Sequence, residues 1–430
     1  MEGKISVKAD STWIIVDDDG EADFDIIQEA INNATSGDMI FVRAGIYFEH
    51  VIVNKSVSLV GEERDSTIVD GNGTDSVISI TANYVRIKGF TVKRSGRGPY
   101  DSGVFVNHSS GNDVSHNTMT NNSNGISLYF SSYNTVSDNT MTNNSNGMYL
   151  ALYTMNNIIY CNNFNNTCQV RTHDSTNVWD YGNQGNYWSD YAKQDLNGDG
   201  IGDEPYFIDV NNQDNHPLMG MFSDFNVTLE RETYQVTTIC NSTISEFRFE
   251  IKAETGNRII GFNVTGKDST VGFCRITIPT HLMNYPYIVM VDVDEIIPTL
   301  LDVSNETYVH LYFTYIHSSH TIRIISSLAR KLQIDLYNLN TTYYELQNNY
   351  SIFLGNYSEL QKSYLELNKS YQNNLSDISK NVHNIRNLMY IFAATTAIFI
   401  ITTIYLSKHA HAARPEYARA RERRLERNEV

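Results

Sequence analysis

Two nearly identical stretches, NDVSHNTMTNNSNGISLYFSSY from Asn112 and NTVSDNTMTNNSNGMYLALYTM from Asn134, put His116 and Asp138 at the same position of adjacent repeats. A His–Asp contact can move protons as general acid and base, which makes this pair the candidate catalytic dyad. The competing reading is two polar turn residues, equivalent to Gly89 before them and Cys161 after. Between Val104 and Tyr160 there is no Lys, Arg or Glu, and the acids are Asp113 and Asp138 alone. A lyase needs a base beside positive charge, and a hydrolase needs paired carboxylates. The repeats offer mainly Asn, Ser, Thr and Tyr, which hydrogen-bond and stack but do not push protons. Arg43, Glu49, His50, Glu62, Glu63, Arg64, Asp65, Asp70, Lys88 and Arg94, further upstream, are where a catalytic group could hide.

Further along, DLNGDGIGD spaces Asp195, Asn197 and Asp199 at alternate positions, with Gly200 for a sharp turn, the Ile201 carbonyl, and Asp203. That oxygen spacing suits a structural Ca²⁺ loop, although Tyr206 stands where a bidentate Glu would close an EF-hand. Trp179, Tyr187, Trp188 and Tyr191 could stack on sugar rings, but plugging the end of a core is the favoured reading. Cys161, Cys168, Cys240 and Cys274 allow three disulfide pairings; the nearest in sequence are Cys161–Cys168 and Cys240–Cys274. His310, His317 and His320 lack the cysteine company of a zinc site.

The elements that position these residues follow from the repeat. Copies start at Asn112, Asn134 and Asn156, and Gly103, Gly125 and Gly147 keep the same period of 22, each opening a short strand. Short apolar strands between Asn/Gly turns make one coil of a parallel β-helix, with coils about 4.8 Å apart. Asn117, Asn139 and Asn162 share one turn, where stacked amides can bond along the axis. Phe24, Ile27, Ile31 and Ala34 fall on one helical face, suited to capping the first coil. The run AINNATSGDMIFVRAGIYFEHVIVNKSVSLVG from Ala30 to Gly61 resembles the opening coils of NosD-type right-handed β-helix proteins. GNQGNYWSDYAKQDLNGDGIGDEPYFIDVNNQDNHPLM resembles the segment that closes such domains in archaeal surface proteins. The resemblance covers about Trp13 to Met219 and implies a carbohydrate-binding or sugar-hydrolase type of β-helix. It also brings copper delivery to mind, but no Cys/His/Met cluster with copper-ligand spacing is present.

Residues 1–220 are therefore expected to form a right-handed parallel β-helix with a cap helix and a closing segment. Eight alternating strands in 221–326 read as an antiparallel β-sandwich, resembling a membrane-proximal domain of archaeal surface proteins. Residues 327–386 carry heptads, with Leu336, Tyr343, Tyr350, Tyr357, Tyr364 and Tyr371 at one position and Leu339, Leu346, Phe353, Leu360 and Leu367 at the other. A stutter follows at Leu375, Ile378 and Val382; a helical stalk acting as a spacer is expected, either in a loose oligomer with a second copy or folded back on the sandwich. Residues 387–407 are free of charge and long enough to cross a bilayer.

Net charge is −17, yet residues 408–430 hold seven Lys/Arg against four Glu, leaving the remainder at −20. A basic tail beside an apolar segment marks the cytoplasmic side, placing the acidic body outside the cell. Sixteen Asn-x-Ser/Thr sequons, none of them in the tail, agree with that orientation. The first twenty residues have no apolar signal core, so a leader is expected to precede the given start. An acidic, Asn-rich body excludes nucleic-acid binding. The expected protein is a single-pass membrane protein with an extracellular head that binds polysaccharide or a surface-layer glycoprotein. The rival is a tethered polysaccharide lyase, epimerase or hydrolase; a third possibility is a spacer without a ligand.

Overall fold

The computed structural model describes residues 13–372 and 379–425. The chain start, the sequon at Asn374 and the stutter positions Leu375 and Ile378 lie outside the described residues. Met1–Gln333 and Ile334–Val430 are two separate units.

In the first unit, every strand pairing from Trp13 to Trp188 is parallel, as a solenoid requires. Three faces result. The first stacks Trp13–Val16, Met39–Val42, Ser58–Gly61, Arg86–Lys88, Asp113–Ser115, Thr135–Ser137 and residues 158–160 of the long strand Asn146–Tyr160. The second runs from Val51–Val53 through Ile78–Ile80, Ser102–Asn107 and Asn124–Tyr129 to the start of that long strand and Cys168–Val178. The third runs from Gly45–Tyr47 to Tyr187–Trp188. Side chains alternate in and out. Inward on the third face, Val69, Val92, Met119, Met141, Phe164 and Trp188 form one register column, each fully buried or nearly so. Helix Ile27–Asn33 closes the first coil, with Ile27, Ala30 and Ile31 buried.

The Asn excess resolves into three internal ladders, one at each corner. Asn117 N–H donates to Asn139 Oδ1 at 3.0 Å, Asn139 N–H to Asn162 Oδ1 at 3.1 Å, and Asn162 N–H to Asn186 Oδ1 at 3.0 Å. A second ladder joins Asn112, Asn134, Asn157, Asn177 and Asn212. The third joins Asn122, Asn144 and Asn166. The side-chain amides also donate to carbonyls of the preceding coil, as Asn139 does to Val114 at 2.7 Å. Turns buried in this way would otherwise leave amides without partners, each costing about 1–3 kcal/mol. The Gly103/Gly125/Gly147 column is required by close approach, since a Cβ on Gly125 would lie 2.6 Å from the Gly147 carbonyl oxygen.

After the solenoid, ten antiparallel strands form two five-stranded sheets. One is ordered Met221–Leu229, Glu232–Cys240, Val271–Pro279, Tyr308–Ile316, Thr299–Leu300; the other Thr243–Ile251, Arg258–Thr265, Ser319–Ser326, Tyr287–Val291, Asp294–Ile296. Between them lies a common core that includes Val236, Ile260, Phe262, Ile276, Ile278 and Ile324. The eight expected strands are all present; Asp294–Ile296 and Thr299–Leu300 are additional.

Among the described residues, helices Leu328–Gln372 and Ser379–Leu425 carry the expected stalk and the apolar segment after it. The second contains an apolar run, Ile385–Lys408, long enough to cross a membrane. Heptad residues such as Leu336, Tyr343, Leu346, Tyr350 and Leu360 are exposed, and Phe353 stacks on Phe399 with ring centroids 6.5 Å apart. The two helices of this unit therefore touch, which one continuous rod would not allow.

Candidate functional site

The outward residues of the first face form a grid fixed by strand register. Arg86, Asp113, Thr135 and Ile158 make one row, and Lys88, Ser115, Ser137 and Tyr160 the next. Their inward neighbours Ile87, Val114, Val136 and Ile159 are core. The strand ends enter a turn where Gly89, His116, Asp138 and Cys161 all adopt positive φ, between +54° and +82°. That region favours Gly, Asn, Asp and His, which explains the residue types in three of the four copies. Grid and turn enclose a groove of about 430 Å³, walled on one side by Tyr133. Tyr133 and Tyr84 are 69% and 77% exposed, and Tyr84 packs against Gly111 at the rim. On the neighbouring turn, His108 stacks on Phe130 at 4.6 Å, and Tyr153 follows at 6.4 Å. Sequence reasoning missed these exposed rings. The spacing of 22 and 23 residues from His108 to Phe130 to Tyr153 was the available signal.

The structure brings His116 and Asp138 together and adds a third member. His116 Nε2 lies 2.7 Å from Asp224 Oδ2 on sandwich strand Met221–Leu229, while its Nδ1 is 3.6 Å from Asp138 Oδ2. That Nδ1 is buried and has no hydrogen-bond partner. Gln235 Nε2 donates to Asp224 at 3.1 Å. Burial pushes the Asp138 carboxyl up to about 6, against the pull of His116. For Asp224 burial is the largest single influence and pushes upward, but the hydrogen bond and charge of His116, with Gln235 and Arg64, together outweigh it and hold its carboxyl below the ordinary range. Repetition made the dyad visible in the sequence. Asp224 lies more than a hundred residues from His116, outside the repeats, and carried no signal.

The sandwich docks on the solenoid beside this centre. Asn163 Oδ1 accepts from Phe222 N–H and Asn163 Nδ2 donates to the Phe222 carbonyl, both at 2.8 Å. Cys161, Leu218, Phe222, Ile239 and Phe273 fill the seam.

Trp179 and Trp188 are not sugar platforms. Both are 1% exposed, and their indole N–H groups donate to Asn212 Oδ1 at 3.1 Å and Asp214 Oδ2 at 2.9 Å. Trp188 is sandwiched between Phe164 and Tyr206 at 4.4 and 4.2 Å, which plugs the core. Tyr187 packs into the seam with the sandwich, and Tyr191 donates to the Glu204 carbonyl at 2.6 Å.

In the loop from Asp195, the carboxylates serve the loop's own backbone. Asp195 accepts from Gly198, Asp199 and Gly200 N–H, Asn197 from Asp199, Asp199 from Ile201, and Asp203 from Leu196. Arg275 of the sandwich, 4% exposed, donates to the Asp199 carbonyl at 3.0 Å. Elsewhere among the described residues, the carboxylate oxygens of Asp17, Asp18 and Asp19 converge.

All four cysteines are free thiols. Cys161 and Cys168 do not meet: their sulfurs contact Gln184 Oε1 and the Val170 carbonyl. Cys240 and Cys274 stand directly opposite in register, and the hydrogen bond from Cys274 pulls the Cys240 thiol down to about 7. His310, His317 and His320 turn to different partners, Thr277, Ser242 with Thr270, and Asp292. The early charged residues are largely structural. Glu49 caps the first helix through Ile27 and Gln28 N–H, and buried Asp70 pairs with Arg94 at 2.7 Å. Lys88 is the exception, lining the groove.

Residues 19–193 match the family model described as periplasmic copper-binding protein (NosD). A cell surface glycoprotein from Methanothermus fervidus is 34% identical over 101 residues, 23% of this chain and 16% of that protein. A probable pectinesterase/pectinesterase inhibitor from Arabidopsis thaliana is 36% identical over 80 residues, 16% of this chain and 14% of that one. This chain thus spans under a fifth of either relative. Among solved structures, an alginate lyase from a Paenibacillus species overlaps 35% of this chain and 63% of its own, with a TM-score of 0.28 and 13% identity. A pectin methylesterase from Aspergillus niger overlaps 43% and 67%, with a TM-score of 0.24 and 12% identity. The residues here do not fit copper. Met119, Met141 and Met148 are sealed in the core, and no described group of three His, Cys or acidic ligands includes a soft donor.

Proposed function

We propose that this chain, whose solenoid is of the NosD type, is a membrane-anchored cell-surface protein whose first face binds glycans or neighbouring envelope material, in adhesion or a surface layer. The observation that carries this reading is the groove. Hydroxyls repeat along it at one coil spacing, the cations Arg86 and Lys88 stand at one end, and the exposed Tyr84 and Tyr133 rim it. Sugar recognition uses this combination of directional polar groups and flat apolar faces. Surface placement is supported by the glycoprotein relative, the acidic body and the apolar run Ile385–Lys408 before a basic tail. Insertion of that run would part Phe353 from Phe399, an event that protease mapping in vesicles would register.

The enzyme reading has one observation in its favour, the His116–Asp138–Asp224 cluster at the groove's edge. Incubating the whole chain in detergent micelles with acidic and neutral polysaccharides separates the two. Co-sedimentation with chains of unchanged length supports binding. Shortened or unsaturated chains would replace it with catalysis, and no association with any of them would remove both.

A further inference from the structure

We propose that the groove takes a carboxylated sugar, whose carboxylate pairs with the ammonium group of Lys88. This rests on the glycan-binding reading and adds the charge class of the ligand.

The inference comes from accounting for each charge around the groove. Asp113 is met by Arg86 at 3.0 Å. Asp224 is met by His116 at 2.7 Å and by Gln235. Asp138 is 14% exposed and takes a hydrogen bond from the Ser137 hydroxyl at 3.3 Å; its burial favours the neutral acid in mildly acidic solution. Lys88 lines the same groove, and among the described residues no carboxylate lies within 4.0 Å of its ammonium group. Among the described residues Lys88 is thus the groove's one charged side chain with no oppositely charged side chain within 4.0 Å, and a cation so placed favours an anion. The overall negative charge does not cancel this, because charges farther off than about 8 Å are largely screened at physiological salt.

The surroundings decide which anion. A phosphate is usually held by Arg forks or by the amides of a helix N-terminus. Here the sole guanidinium, on Arg86, is already engaged, and no helix ends at the groove. One ammonium beside the hydroxyls of Ser115, Thr135, Ser137 and Tyr160 fits a monoanion carried on a hydroxyl-rich ring.

Asp138 makes the site sensitive to pH. The groups that face it are His116 and, behind it, Asp224 of the sandwich, with Ser137 on its own strand, Lys88 two coils back, and Tyr160 and Cys161 in the next coil. As pH rises through about 6, Asp138 ionises and sets a negative charge near Lys88. Affinity for an anionic sugar therefore falls in that interval and is highest below it.

The test uses the whole chain in detergent micelles with three probes: oligogalacturonate, oligomannuronate and hyaluronan fragments. Each is paired with its carboxyl-reduced, neutral counterpart. At least one acidic probe is expected to lose about tenfold or more in affinity on reduction. Lys88→Gln should weaken the acidic probe about five- to tenfold at low salt, with an unchanged melting profile. Asp138→Asn should flatten the pH dependence between 5 and 7.5. Equal affinity for acidic and reduced forms, or an unaffected Lys88→Gln, overturns the charge class and leaves glycan binding standing. No binding of any acidic or neutral sugar removes the underlying reading, and this one with it.

Discussion

Two columns of the solenoid, one residue apart, behave in opposite ways. Asn117, Asn139 and Asn162 are fully buried, and each amide makes bonds to the coils on either side. The column immediately before them reads Gly89, His116, Asp138 and Cys161, and it contains a carboxyl raised by burial and an unpartnered ring nitrogen. Where the repeat is kept, side chains satisfy each other and hold the fold. Where it is broken, chemistry is left over, and the sandwich and the groove meet there.

That contrast is broken most severely inside the ladder. Asn139→Leu keeps the branched shape but leaves the buried Asn117 N–H without its acceptor and removes the amide's bond to the Val114 carbonyl, so about 3 kcal/mol of stability should be lost in denaturant unfolding. Asn143→Ala, in the exposed outer column, should cost about 1 kcal/mol, mostly through its φ of +57°.

Asp138→Asn should act in the other direction. Because the folded-state pKa of Asp138 is raised from 3.8 to about 6, the folded protein binds the proton more tightly than the unfolded chain. Stability is thus greatest below pH 4 and falls as pH rises from about 4 to 6. The Asn variant should gain about 2 kcal/mol at pH 7 relative to wild type, and nothing at pH 3.5. Melting curves at the two pH values check this, and a gain equal at both would refute the assignment to Asp138.

A smaller loss, about 1 kcal/mol, is expected of Asp224→Asn, which weakens the His116 bond while leaving the Asn163–Phe222 contacts. Hydrogen exchange should quicken at the seam and not in the coils. The loop at Asp195 should show the least. With its carboxylates engaged by its own amides and Arg275 on the Asp199 carbonyl, calcium should shift the melting temperature by about 1 °C or less. A shift of several degrees that Asp199→Ala abolishes would instead support calcium held by this loop.

Much of the fold was legible because repetition amplifies weak local signals. A period of 22 with Gly and Asn in fixed places named the coils, the inner column and even the His116–Asp138 neighbours. The other two Asn ladders were less visible, since their members Asn112, Asn134 and Asn122, Asn144 look like ordinary turn residues until the corners are drawn. They also qualify the sequon argument. Asn121, Asn143 and Asn165 are exposed beside buried Asn122 and Asn144 and half-buried Asn166, and two of the three exposed residues sit at positive φ, so turn chemistry alone generates Asn-Asn-Ser/Thr. Asp224 and Arg275 could not be read at all. They reach the solenoid through docking of a domain whose register against it no local pattern records.

The account's central claim is that the first face, not the solenoid surface in general, holds the glycan. The most direct measurement is the dissociation constant of the best polysaccharide ligand for Ser137→Trp and Thr142→Trp. The first fills the groove; the second places the same ring on the third face of the same coil. The account predicts at least tenfold weaker binding for Ser137→Trp and no change for Thr142→Trp. Equal binding by wild type and both variants, or a loss confined to Thr142→Trp, would contradict it.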